Sequence, residues 1–330
     1  MQAIRVIEFG DPSVLKLVDL DRPEPGMGEV LLRVAFAGVN YTDITQRRGR
    51  PGQTVPYLPG VEASGVVEAL GPEVSDVAVG DRVATIMVPG TYAEYIVAPE
   101  SRLVRLPDWI DLTRGAAFAM QGITAHYLLR EFERVRSGMT VLVHAAAGGV
   151  GLLLTRWAVR LGARVIGTTS TTEKAENVRA AGASGVIVYS TTSFVDEVRR
   201  LTGGAGVDLV LDGVGKTTFS GDLEAVRDRG HIVIYGGASG LADPIVPNAL
   251  MRRGLTVSGG SLGYYIATRN ELQSRADDVL AGLREGWLQL NIERIFPLAE
   301  ASEAHRLLES RLTSGKILLA AGETAQRGAS

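Results

Sequence analysis

The 330-residue chain contains no cysteine. That excludes disulfides, thiolate catalysis and cysteine-ligated metal. Neither sign of charge is in excess: 34 Lys and Arg stand against 37 Asp and Glu, a net charge of −3. The isoelectric point is about 5.9. A nucleic-acid binder carries a basic excess, so no nucleic acid is expected as a partner. No uncharged run reaches the ~20 residues that span a bilayer, so no membrane segment is expected. The N-terminal MQAIRVIEFG lacks the basic-then-apolar pattern of a secretory signal. A cytoplasmic location is the default these absences leave. Histidine is scarce as well, with four in the chain. His126, His144, His231 and His305 fall in unrelated elements and read as structural.

Glycine is abundant, at 40 residues. It is spread without a repeat, which points to many turns or to backbone approaching a ligand closely. The hydrophobic share of 45% and the charged share of 22% suit a globular enzyme. The length is too great for one ordinary core, so two domains are expected.

The first hundred residues read as closely spaced strands: Ile4 to Phe9, Val14 to Val18, Val30 to Phe36, Ser64 to Leu70, Arg82 to Met87 and Tyr92 to Val97. Turn residues such as Gly10-Asp11-Pro12 and Gly80-Asp81 separate them, which predicts a compact β-rich unit. From Asp111 to Val135 the pattern is helical, with a possible break at Gly122. Strands and helices then alternate. The strands are Thr140 to His144, Arg164 to Thr168, Gly185 to Tyr189, Val207 to Leu211 and His231 to Tyr235. Helices Val150 to Leu161, Thr172 to Ala181, Phe194 to Leu201 and Phe219 to Val226 lie between them. That is the pattern of an α/β, doubly wound, mostly parallel sheet. A polar helix from Arg269 to Glu285 precedes strand Asn291 to Pro297, helix Leu298 to Ser310 and strand Lys316 to Ala320. These late strands are expected to return to the first unit. The residues from Gly322 are small and polar, and disorder is expected there.

Strand Thr140 to His144 runs into Ala146-x-Gly148-x-x-Gly151, which opens a helix. This is the dinucleotide fingerprint with Ala in place of the first Gly, in its required context of strand before and helix after. Gly148 and Gly149 let the backbone approach a pyrophosphate, and Gly151 lets helix and strand pack closely. The helix N-terminus adds unpaired N–H groups and a positive dipole end. The next strand ends Gly167-Thr168-Thr169-Ser170-Thr171-Thr172, with no acid to hold a ribose 2′-hydroxyl. Small hydroxyls at Ser170 and Thr171, with Lys174 and Tyr189 nearby, would accept a 2′-phosphate. NADPH is therefore the expected cofactor, with Glu173 the one acid close by.

Several stretches together resemble the medium-chain dehydrogenase/reductase superfamily, and within it the zinc-free, zeta-crystallin-like NADPH:quinone oxidoreductase branch. They are Ala37-Gly38-Val39-Asn40-Tyr41-Thr42-Asp43, Pro59-Gly60-Val61-Glu62-Ala63-Ser64-Gly65, Gly80-Asp81-Arg82-Val83, Gly122-Ile123-Thr124-Ala125, Val143 to Gly151, and Gly315-Lys316-Ile317. The resemblance covers nearly the whole chain. It implies a GroES-like β-rich domain over residues 1–123, completed by 265–330, and a Rossmann NADPH-binding domain over 124–264. Zinc-dependent relatives carry a metal-binding Cys before the Thr-Asp step and Gly-His-Glu where this chain has Gly60-Val61-Glu62. With Val61 and no cysteine, neither zinc site of those relatives can be built, so no metal is expected.

The resemblance also implies site positions. Tyr41, Thr42, Asp43, Ile44 and Thr45 would line the nicotinamide side. Thr124 and Tyr127 would contact the cofactor. Gly148, Gly149, Val150 and Gly151 would hold the pyrophosphate. Gly213, the run Tyr235, Gly236, Gly237 and Ala238, and the run Ser261, Leu262 and Gly263 would lie near the nicotinamide. Arg311 aligns with a family arginine at the cofactor.

Without a metal as Lewis acid, an acceptor that takes hydride readily is the natural substrate. A quinone is expected, with Asn40 and Tyr41 as catalytic residues that orient its carbonyl, Tyr41 donating to the developing oxyanion. The cofactor does the difficult step, and the protein supplies orientation. Gly236-Gly237 and Gly259-Gly260 are expected to permit closure over the cofactor. Two other outcomes stay open: reduction of enals, enones or enoyl thioesters, and a non-catalytic NADPH-binding protein. The family also implies a homodimer, paired through an edge strand near Leu255 to Ser258.

Overall fold

A computed structural model describes residues 1–322. The expectation for the tail beyond Gly322 lies outside the described residues. Contacts divide the chain into two units. One comprises Met1–Met120, Ala267–Ala276 and the chain from Leu290; the other comprises Gln121–Ile266 and Asp277–Gln289.

The first unit begins with an antiparallel pair, β1 (Gln2–Arg5) and β2 (Lys16–Asp19). β1 is shorter than its apolar run; Val6 continues only as a bridge to Tyr57. Pro12–Val14 forms a 3-10 turn, capped by the Asp11 carboxylate on the Ser13 N–H, so the second strand starts later than the run of β-formers implies. Then come β3 (Glu29–Val39), helix α1 (Tyr41–Arg47), β4 (Glu62–Leu70), β5 (Arg82–Ile86), β6 (Tyr95–Pro99) and the short β7 (Leu103–Arg105). α2 (Leu112–Arg130) is a single unbroken helix. Gly122 does not break it. A Cβ there would stand 2.6 Å from Val279 Cγ1, so glycine serves the close approach of a neighbouring side chain.

The second unit is built on six strands. They are β8 (Thr140–Val143), β9 (Arg164–Thr169), β10 (Gly185–Val188), β11 (Val207–Asp212), β12 (Val226–Ile234) and β13 (Thr256–Gly259). Helices α3 (Gly149–Arg160), α4 (Thr172–Ala180), α5 (Phe194–Leu201) and α6 (Phe219–Ala225) lie between them in sequence, and the short α7 (Leu262–Tyr265) follows β13. The sheet order is β10-β9-β8-β11-β12-β13, and every pairing is parallel. This is the doubly wound Rossmann order, with its switch point between β8 and β11. Leu142, Ile166, Val210 and Ile232 from four adjacent strands share one core with Val198 and Phe219. A strand buried on both faces must be apolar at every position, as the continuous runs anticipate.

α8 (Arg269–Arg284) precedes β14 (Ile292–Pro297), α9 (Ala301–Glu309) and β15 (Lys316–Ala320). The late strands do return to the first unit. β15 pairs antiparallel with β3, and β14 lies parallel beside β15. The resulting seven-stranded sheet runs β14-β15-β3-β4-β5-β7, with β6 also on β3. β3 is thus the hub of the unit, and Asn40 and Tyr41 follow directly from its end.

Candidate active site and dinucleotide turn

In the second unit, the chain leaves β8 through a tight turn. His144 N–H donates to Leu211 O (3.1 Å), Ala146 N–H to Thr168 O (2.9 Å) and Gly148 N–H to Ala145 O (2.9 Å). The left-handed residue is Ala145, at φ 49°. Ala146, which replaces the first fingerprint glycine, is buried. Its Cβ is accommodated because β9 carries Gly167 opposite; a Cβ on Gly167 would come 2.8 Å from it. The glycine missing from the turn is matched by one on the neighbouring strand.

The three glycines of the turn differ in what surrounds them. A Cβ on Gly151 would stand 2.7 Å from Ala146 Cα and run into Ala145 O, so this position is closed by backbone. A Cβ on Gly149 would overlap the Gln121 carboxamide. A Cβ on Gly148 would meet only Ala145 O, at 3.2 Å. Gly148 is the N-cap of α3, and the first-turn N–H groups of Gly149, Val150 and Gly151 have no helical acceptor of their own. The helix dipole adds positive potential there. The turn fits a pyrophosphate.

Under the turn lies a buried polar cluster that sequence reasoning treated only as structural histidine. His144 Nε2 is 2.7 Å from Asp222 Oδ1, and His144 Nδ1 is 3.0 Å from Thr168 Oγ1. Burial works to lower the His144 pKa, but the charge and hydrogen bond of Asp222, with Asp212 beyond, outweigh it and raise it. Asp212, at the end of β11, accepts from Val214 N–H (2.7 Å), Gly215 N–H (3.1 Å) and Thr218 Oγ1 (2.9 Å). It fixes the loop that begins at Gly213.

The end of β9 gathers the expected 2′-phosphate residues. Thr171 caps α4 by accepting from Lys174 N–H (3.3 Å), and Ser190 Oγ donates to Ser170 O (2.9 Å). Tyr189 N–H donates to Thr169 O (3.1 Å), and the Tyr189 side chain is exposed. Ser170, Thr171, Lys174 and Tyr189 therefore lie at the carboxyl ends of two adjacent strands. Glu173 is fully exposed; its own N–H and the Thr171 hydroxyl hold its carboxyl below the usual range. It is the first-turn acid of α4, beyond the strand tip.

Gly213 and the run Tyr235 to Ala238 also come together, at the ends of β11 and β12. Ala238 N–H donates to Gly213 O (3.1 Å), and a Cβ on Gly236 would stand 2.7 Å from that same oxygen. Tyr127 is 1% exposed and stacks flat on Tyr265, with centroids 4.4 Å apart and planes 3° apart. Gly260 packs on Tyr127 and Phe132, which brings Ser261, Leu262 and Gly263 next to this aromatic group. Thr124 is buried one turn earlier on the same helix.

In the first unit, Asn40 and Tyr41 form the head of α1. The Asn40 N–H donates to Asp43 Oδ2 (2.8 Å), and the Tyr92 hydroxyl donates to the same oxygen (3.0 Å). Asp43 is fully buried, and burial pushes its carboxyl up to about 7 against the pull of those two bonds. Ile44 is core, while Tyr41 and Thr42 are half-buried and Thr45 is exposed. Asp43 and Ile44 thus have packing and capping roles inside the unit. Arg311 follows α9 in the left-handed region, at φ 58°. Glu309, two residues earlier, pairs with Arg47 (2.5 Å) and Arg48 (2.8 Å) at the far end of α1 from Tyr41.

The alcohol dehydrogenase GroES-like domain model matches residues 26–108, and the zinc-binding dehydrogenase model matches residues 149–280. The quinone oxidoreductase of Pseudomonas aeruginosa is 41% identical, over 96% of this chain and 98% of its own. The chain belongs to the quinone oxidoreductase branch of the medium-chain dehydrogenase/reductase superfamily. Another relative at 41% identity is the 2-haloacrylate reductase of a Burkholderia species, matched over 94% of this chain and 96% of its own. The Escherichia coli quinone oxidoreductase solved with NADPH superposes with a TM-score of 0.94 at 33% identity, covering 97% of this chain and all of that one. This member of the branch has Val61 after Gly60 and no cysteine, yet keeps Glu62, buried and paired with Lys316.

Proposed function

We propose that this chain is an NADPH-dependent quinone reductase that works without a metal. The end of β9 carries the cofactor choice: Ser170, Thr171, Lys174 and Tyr189 surround a strand tip with no acid, and Glu173 stands beyond it in the first turn of α4. An acid at that tip would repel a 2′-phosphate, whereas hydroxyls and a cation accept it. The quinone oxidoreductase relatives, one of them solved with NADPH, support the same reading. Bound at the turn, NADPH would supply the hydride.

The chain's own contribution is orientation and electrostatics. Gly149, Val150 and Gly151 offer their backbone N–H groups to the pyrophosphate, and Gly148 leaves it room to approach. Gly213, Tyr235 to Ala238, and Ser261 to Gly263 shape the nicotinamide end. Tyr41, at the head of α1, donates to the oxyanion that forms when the acceptor carbonyl takes hydride. The hydroquinone anion can then take its proton from water. An acceptor of the activated-alkene class uses the same hydride geometry, and the 41% identity to a 2-haloacrylate reductase favours testing it alongside.

NADPH and NADH oxidation over a panel of quinones, enones and a 2-haloacrylate tests these readings together. Strong NADH preference sinks the 2′-phosphate assignment. Turnover of alkenes but not quinones moves the substrate class. NADPH binding without any turnover leaves a non-catalytic binder.

We also propose a homodimer in the cytoplasm. β13 is the edge of the six-stranded sheet, with one side unpaired among the described residues. Leu241, Val246 and Met251, which precede it, are exposed. An edge with apolar side chains nearby is a template for a second copy. Light scattering that returns a monomer removes the dimer, and cell fractionation tests the location.

A further inference from the structure

Lys316 and Glu62 form an ion pair at 2.5 Å, with side chains 1% and 0% exposed. They are 254 residues apart in sequence. A buried pair of this kind is weak evidence for stability, since apolar replacements of similar volume are often neutral or better. Its placement suggests another purpose. Lys316 Nζ donates to Glu62 Oε2 and to Asn40 Oδ1 (2.7 Å). Asn40 Nδ2 donates to Glu62 Oε2 (3.2 Å) and to Gly38 O (3.1 Å). Met120 N–H donates to the other Glu62 oxygen (2.7 Å).

The Asn40 carboxamide is therefore gripped at both ends by groups of opposite character. Flipped, its oxygen would face the Glu62 carboxylate and its NH2 would face the ammonium. Both amide hydrogens are engaged, so Asn40 has no N–H left for a substrate. The donor to the acceptor's oxygen is left to Tyr41. Meanwhile the Asn40 main-chain N–H is held by Asp43. Gly38 is part of the same construction, because a Cβ there would run into Glu62 Oε2 and come 2.8 Å from Lys316 Cε.

We propose that Lys316 and Glu62 are positioning residues for hydride transfer: their ion pair locks Asn40 and with it the head of α1, and so sets the pose of Tyr41. The inference rests on the reductase reading above, with Tyr41 as the donor. Both side chains are buried, so they act through Asn40 and not on the acceptor itself. Their effect belongs in kcat, because misplacing a reacting partner slows the chemical step more than it weakens binding of a cofactor held elsewhere.

Four chains test this: wild type, Glu62→Gln, Glu62→Gln with Lys316→Met, and Lys316→Arg. Each is checked by circular dichroism and thermal melting, then measured for NADPH Kd, kcat and quinone KM. Wild-type turnover tests the reductase reading by itself, and its absence fails that reading before any variant is made. Given turnover, the single Glu62→Gln chain and the double variant are expected to keep the wild-type NADPH Kd while kcat falls about 10- to 100-fold. The double variant leaves no buried charge unpaired, so its melting temperature should recover while kcat stays low. Lys316→Arg keeps the charge but not the geometry on Asn40, so its kcat should fall between that of wild type and that of Glu62→Gln. A folded double variant with wild-type kcat overturns the inference, as does a kcat loss that simply follows melting temperature across the set. If the double variant does not fold, the isosteric Glu62→Gln chain decides by the same kcat criterion; if neither folds, Lys316→Arg decides, a lowered kcat at wild-type NADPH Kd supporting the inference and a wild-type kcat overturning it.

Discussion

Two alanine substitutions three residues apart in one motif should have opposite signatures. Gly148 sits at φ −73° and ψ 168°, which any residue adopts, and a Cβ there would meet only one oxygen at 3.2 Å. Gly→Ala at a compatible backbone position reduces unfolded-state entropy, so Gly148→Ala should stay within about 1 kcal/mol of wild-type stability. The methyl group would instead occupy the space in which a pyrophosphate approaches the backbone. Losing a charge-assisted hydrogen bond there costs roughly 1.5–3 kcal/mol, a rise of about 10- to 150-fold in NADPH Kd. Gly151 is the reverse case. Its Cβ would stand 2.7 Å from Ala146 Cα, and backbone cannot move aside as a side-chain end can. Overpacking of this kind costs about 1–3 kcal/mol. For a unit of this size that is a fall of roughly 2–10 °C in melting temperature. Thermal melts with and without NADPH, beside a fluorescence titration, read both quantities. Wild-type NADPH affinity in the Gly148→Ala chain would refute the assignment of this turn as the pyrophosphate site. Equal melting losses in the two variants would refute the steric reasoning.

Three further outcomes are expected. Lys174→Ala should raise the KM for NADPH about 10-fold or more and leave that for NADH unchanged, and Ser170→Asp should shift preference toward NADH; the ratio of kcat/KM values for the two coenzymes checks both. Tyr41→Phe should lower kcat about 10- to 100-fold with NADPH Kd unchanged, and a wild-type kcat returns Tyr41 to a packing role. Burial raises Asp43 from 3.8 to about 7, so between about pH 4 and pH 7 the folded chain keeps a proton that the unfolded chain has released. Stability from this group is therefore full below about pH 4 and is lost as pH rises toward 7, a component of about 4 kcal/mol. Asp43→Asn should remove that slope, and urea unfolding from pH 5 to 8 tests it: parallel curves for the two chains would show that Asp43 does not titrate in this window.

Much of the second unit was legible because its strands are apolar at every position and its turns are marked by glycine. Phe194–Leu201 and Lys316–Ala320 have the ends the pattern implies. Three-residue β7 was not, since a strand that short carries no period. α2 was read with a possible break because Gly122 is a poor helix former; its reason, contact with Val279, lies 157 positions along the chain and has no local trace. The same limit explains the polar clusters. Lys316 meets Glu62, and Arg47 lies 3.3 Å from His305 Nδ1 across 258 positions, yet each residue taken alone is an ordinary charged side chain in a strand or helix. One trace did exist. A glutamate and a lysine at the starts of otherwise apolar strands are improbable unless partnered, because an unpaired buried charge is so unfavourable. Asp43, Glu62 and Lys316 all stand in stretches that carry the family resemblance, and the fold unites Glu62 and Lys316 on Asn40 while Asp43 holds its main chain. The two uses of glycine were legible in the fingerprint, Gly148 for a ligand's approach and Gly151 for close helix–strand packing. What the motif could not name is the atoms involved: a Cβ on Gly148 would meet one oxygen at 3.2 Å, whereas Gly151 is closed by Ala145 O and Ala146 Cα.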